Sequence, residues 1–109
     1  MAGAKIVVMY PYPKDVDAFE RAYTEEHAPM VTSQAFPGIR KFVATRVLGT
    51  PDGSQAAIYR VAELYFASMA DLQSAAASAS AQPVVAHAVS ISSGGAPIVL
   101  VAQEDTTTF

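Results

Sequence analysis

A chain of 109 residues, 51% hydrophobic and 16% charged, is expected to form a single domain over its whole length, 1–109, with a core that needs no metal or disulfide staple. It has no cysteine, which excludes a thiol nucleophile, a thiolate metal site and a disulfide framework, and its seven basic residues are scattered against ten acidic ones, leaving a net charge of −3 and no footprint for nucleic acid. The first apolar stretch is only about six residues long, too short for a signal segment or a membrane span, and the Ala-rich run after Met69 carries no Lys or Arg for a membrane surface, so the cytoplasm is the expected compartment.

Ala4 to Tyr10 is β-branched and bounded by Gly3 and Pro11, which predicts a buried strand. Both of its faces are apolar, so it should be central. Pro11 to Lys14 turns the chain and Asp15 is placed to cap a helix on which Val16, Phe19, Tyr23, His27 and Met30 recur every three or four residues and therefore share one face. Pro29 pushes Ala28 away from the helical region, so the helix is expected to end or kink there, with Met30 and Val31 opening a second short turn.

Phe36-Pro37-Gly38 breaks the helical region, and Ile39 to Leu48 reads as a second strand with Arg40, Phe42, Ala44, Arg46 and Leu48 on one face. Gly49 to Ser54 is a turn, and Ala57 to Phe66 a third strand, so the two form an antiparallel hairpin. On the third strand, strict alternation puts Tyr59, Val61, Glu63 and Tyr65 on one face and Ile58, Arg60, Ala62, Leu64 and Phe66 on the other.

Ser68 to Asp71 has the spacing of a capping box and starts a helix through Leu72, Ala75, Ala76 and Ala79. Its small side chains allow either a close approach of helix to sheet or space for a ligand beneath it. A short helix over Val84 to Val89 follows, with His87 expected at its surface, then a loop at Ser92 to Gly95, a last strand from Pro97 to Ala102 and a polar, fraying tail over about 103–109.

Strand, helix, strand, strand, helix, strand is the α+β, ferredoxin-like βαββαβ order: a four-stranded antiparallel sheet with the helices on one face. The other face, equally apolar, requires cover. A second copy of the same sheet is the simplest cover, which predicts a homodimer with two sheets facing each other as a barrel-like core.

His27 is the candidate acid–base residue, because an imidazole takes or gives a proton near neutrality. As a proton carrier it should line a cavity with one nitrogen free; as a core histidine it should have both nitrogens occupied. Tyr10, Tyr23, Arg46, Tyr59 and Glu63 are the candidate substrate-binding groups, able to hold an enolate or phenolate oxygen or to share a proton. Glu63 or Tyr59 would serve as a second acid–base group only if its strand face points to the helices. No spacing suited to metal ligands and no phosphate-binding glycine loop after a strand is present, so neither metal, haem, flavin nor nucleotide cofactor is expected.

Val7-Val8-Met9-Tyr10-Pro11-Tyr12-Pro13, Ala18 to Tyr23 leading into His27-Ala28-Pro29-Met30, Pro37 to Phe42, Val47 to Gly53 and Tyr59 to Phe66 together resemble the EthD family, over about Lys5 to Leu100. That family is named for a protein encoded with a cytochrome P450 system for degrading ethyl tert-butyl ether, and the resemblance implies the dimeric α+β barrel superfamily. Methylmuconolactone isomerases, polyketide cyclases, anthrone-type oxygenases and haem-degrading enzymes share that architecture, with ligands held between helices and sheet. Carried over by position, His27 matches the place those enzymes use for proton transfer, whereas Met30 and Phe42 stand where Leu and Tyr are common. The resemblance implies a small-molecule catabolic protein for ethers or for aromatic or cyclic compounds, working as a cofactor-independent isomerase, cyclase or lyase. It equally implies an accessory protein that binds or delivers a hydrophobic substrate or product for a partner oxygenase.

Overall fold

A computed structural model describes residues 3–109. Four strands, β1 (Gly3–Pro11), β2 (Ile39–Arg46), β3 (Ile58–Phe66) and β4 (Ile98–Glu104), form one antiparallel sheet in the order β2-β3-β1-β4. This is the ferredoxin-like order, and β1 is central as its two apolar faces require. The last strand runs two residues further than expected: Gln103 and Glu104 pair with Ala4 and Gly3 instead of fraying.

Three α-helices, α1 (Val16–Arg21), α2 (Met69–Ala77) and α3 (Gln82–Ile91), cover one face. The capping chemistry is as the sequence reads: Asp15 accepts from the Ala18 N–H at 3.1 Å and Ser68 from the Asp71 N–H at 3.1 Å. Alternation on β1 sends Ala4, Ile6 and Tyr10 into the core, where Ile6 sits opposite Leu64 on β3 and Val101 on β4. Leu72 and Ala75 of α2 and Val84 of α3 close over that side, while Phe19, Tyr23 and Ala88 pack a second cluster around Tyr10 and Tyr59.

Two local departures shape the site. After α1 the chain widens into a π turn, Ala22–His27, in which the Ala28 N–H reaches the Tyr23 carbonyl, and then tightens into a 3₁₀ turn, Ala28–Met30. Ala28 itself stays right-handed helical, with φ −56° and ψ −41°, so Pro29 does not expel it; the change of pitch ends the helix instead. The wide turn also explains why Phe19, Tyr23 and His27 share a face. A strict four-residue spacing drifts by about 40° per step on a regular helix, and the smaller rotation per residue in the π turn cancels that drift.

The second departure is a bulge. Tyr10 faces Arg60 but Pro11 faces Ile58, so Tyr59 is unpaired on the β1 side. Its ring therefore turns under the helices, 5.8 Å from that of Phe19, beside Arg60, which also reaches a helix. Alternation alone had put Tyr59 on the face of Glu63; the bulge separates them. Among the described residues no helix is long and apolar enough to cross a membrane.

Candidate functional site

Between the sheet and the helices lies a cavity of about 150 Å³. Val8 and Ala62 form its floor, Phe36, Phe42 and Val84 its walls, and the exposed Val89 and Val99 stand at its mouth between α3 and the edge strand. Ala76 of α2 also lines it while Ala75 is buried in the main core, so the small residues of this helix both pack closely and border the cavity. Tyr10 and His27 are the polar side chains in an otherwise aliphatic and aromatic lining.

His27 is 5% exposed and both of its ring nitrogens are occupied. Nε2 lies 3.1 Å from the Tyr10 hydroxyl, and Nδ1 lies 2.9 Å from Nδ1 of His87 on α3. The two imidazoles are nearly parallel, 12° apart. This corrects the expected surface position of His87, whose side chain is only 23% exposed and whose Nε2 is 3.5 Å from the Glu26 carboxylate. It also means that His27 lines a cavity, as a proton carrier should, yet leaves no nitrogen free: any proton it handles has to pass through Tyr10 or His87.

Electrostatics follow from burial. Desolvation, helped by the neighbouring His87, pushes the His27 pKa down to about 4, so the ring is neutral at pH 7. Desolvation likewise pushes the Tyr10 phenol well above its ordinary value. The Tyr23 phenol is also raised by burial, against the opposing pull of the Arg60 guanidinium 4.8 Å from its ring centre, and its hydroxyl has no hydrogen-bond partner among the described residues.

The other candidates fall in three places. Tyr23 stands behind His27, with ring centres 5.7 Å apart, outside the cavity lining. Arg46 and Tyr59 line a separate open hollow of about 370 Å³ at the β2–β3 hairpin. Glu63 is on the opposite face of the sheet, where Lys5 donates to it at 2.6 Å, so it does not converge on His27. Among the described residues no three His, Cys, Asp or Glu side chains converge on a metal-sized site.

The group that sequence reasoning missed, behind the cavity wall at His27, is His87. Val84, His87, Ala88 and Ile91 follow the same three-and-four spacing as the α1 stripe, and Val84 and Ala88 are buried, so the periodicity did carry the signal.

An antiparallel ferredoxin-like sheet, helices on one face and a histidine-bearing apolar cavity between them define a small α+β protein with a built internal site. Residues 12–89 match the EthD domain model, and the chain belongs to the EthD family. An uncharacterized 11.0 kDa protein in the thcB–thcC intergenic region of Rhodococcus erythropolis is 31% identical over 100 residues, 92% of this chain and 94% of that protein. An ethyl tert-butyl ether degradation (EthD) family protein from Bacillus halodurans C-125 superposes with a TM-score of 0.84 at 26% identity, covering 94% of this chain and 99% of that one. A dimeric ferredoxin-like protein of unknown function from Jannaschia sp. CCS1 has a TM-score of 0.66 at 19% identity, over 95% and 100% of the two chains.

Proposed function

We propose that the chain binds a small, mostly apolar molecule carrying one oxygen function in the cavity over Val8 and transfers a proton there through Tyr10 and His27. The observation that supports this is the pairing of the Tyr10 hydroxyl with His27 Nε2 at 3.1 Å in the wall of an otherwise apolar cavity. In such a lining the Tyr10 oxygen, whose own proton is shared with His27, can accept from an enol, phenol or alcohol hydroxyl of the ligand, a donor whose burial without a partner would cost about 1–3 kcal/mol. No redox group is required for isomerisation, cyclisation or elimination next to a carbonyl. Membership of the EthD family extends the reading to the breakdown of ethers or of aromatic and cyclic compounds in the cytoplasm, alongside an oxygenase of the cytochrome P450 type. The assembly would be a homodimer closed by the open sheet faces, in line with the dimeric relative from Jannaschia.

His27→Gln tests the acid–base role, because it keeps size and hydrogen bonding while removing titration near neutrality. Fold and dimer are expected to persist, with turnover in the degradative pathway lower by about 10². Full turnover in His27→Gln would overturn the acid–base role. It would favour a second reading, motivated by the occupancy of both His27 nitrogens: a non-catalytic protein that holds a hydrophobic substrate or product for the oxygenase.

A further inference from the structure

The cavity wall contains Tyr10 and His27 but not His87, which lies behind the wall, largely buried, between His27 and the exposed Glu26. We propose that His87 is the outer half of a two-imidazole proton relay, through which a proton passes between the cavity and water by way of Glu26. The relay rests on the acid–base reading of the cavity given above.

The geometry supports it in three ways. The ring centres of His27 and His87 are 5.1 Å apart in nearly parallel planes while their Nδ1 atoms are 2.9 Å apart, so the rings meet edge to edge along the line of the two nitrogens, the arrangement of an N–H···N hydrogen bond. Proton placement along the chain is also consistent. With His87 Nε2 protonated toward the Glu26 carboxylate, its Nδ1 carries a lone pair and accepts from His27 Nδ1–H, and His27 Nε2 then accepts from the Tyr10 hydroxyl. The opposite assignment, with both imidazoles neutral, would turn the His87 Nε2 lone pair toward the carboxylate. Lastly, the groups ranged along the path come from three elements that meet there: Tyr10 from β1, Tyr23 and Glu26 from the π turn, and His87 from α3.

The transfer balances. As a substrate proton reaches the Tyr10 oxygen, the phenolic proton moves to His27 Nε2, the His27 Nδ1 proton to His87 Nδ1, and the His87 Nε2 proton to Glu26 or water. Each group gives one proton and receives one, and an anion remains in the cavity. Running the chain in reverse returns a proton to that anion and restores the first tautomers. Such a path suits a buried imidazole with little affinity for an extra proton, because His27 need not stay charged.

The test uses the intact protein labelled with ¹⁵N in its histidine rings, followed by NMR at pH 7.5. The relay requires His27 as the Nδ1–H tautomer and His87 as the Nε2–H tautomer; the reverse pair overturns it. His87→Gln supplies an amide oxygen that still accepts from His27 Nδ1–H but cannot pass the proton on. Exchange of the His27 Nδ1 proton with water should therefore slow at least about tenfold in that variant with the tautomer retained. Exchange at the wild-type rate overturns the relay. Neither measurement needs a substrate, so failure here is distinct from failure of the acid–base reading, which His27→Gln decides.

Discussion

Arg60 on β3 grips Glu20 on α1 with two nitrogens, Nε lying 3.2 Å from Oε2, while its guanidinium covers the ring of Tyr23. The fork ties the bulged end of the sheet to the helix that leads into the π turn carrying His27, and both partners are largely buried. Arg60→Met keeps most of the stem but strands the Glu20 carboxylate. Urea unfolding at pH 7 should show a loss of about 2 kcal/mol, the scale of a charged hydrogen bond left half made.

His27 gives stability a defined pH dependence. Its folded pKa of about 4 lies below the ordinary 6.5, so between these values the unfolded chain binds the proton that the folded chain refuses. The stabilisation is fully present well above pH 6.5 and is lost as pH falls toward 4, an effect on the order of 3 kcal/mol. Denaturant melts of wild type and His27→Gln at several pH values in that window should diverge, with the variant showing the flatter profile.

The open face of the sheet is where the proposed homodimer would close. Val7 and Met9 of β1, Val61 of β3 and Leu100 of β4 share it, Val7 lying opposite Leu100, which is 46% exposed. Sedimentation at micromolar concentration should find a dimer, and Leu100→Lys, which sets a charge on the β4 edge of that surface, should give a folded monomer.

Gly94, in the loop between α3 and β4, has no room for a side chain: a Cβ there would lie 1.9 Å from the Tyr12 carbonyl oxygen. The Lys14 N–H donates to Ser93 at 3.1 Å in the same contact, so this loop holds the segment leading into α1. Gly94→Ala should lower the unfolding free energy by about 1–3 kcal/mol, read from the thermal midpoint, because backbone has to move to admit the methyl.

The strand order, the caps at Asp15 and Ser68 and the cavity-facing position of His27 were legible in the sequence because each depends on short-range periodicity or on one side chain meeting its own backbone. What escaped depends on pairings between distant segments. Tyr59 changes face because β1 and β3 fall out of step at Pro11, and no pattern within β3 announces that. Glu63 finds Lys5, 58 positions away, on the far side of the sheet. His87 is an intermediate case: its stripe on α3 was visible, but its partner was fixed only once two helices met over the sheet.

The π turn has a consequence for the length of the chain. Because its backbone ring closes from Ala28 to Tyr23, it spends one residue more than a regular helix would over the same rise. Removing one exposed residue, such as Glu25, would let the turn close to ordinary pitch without displacing the imidazole that follows. Relatives one residue shorter between Phe19 and His27 can thus hold the same ring at the same wall, and a search pattern with a fixed number of positions between the two would overlook them.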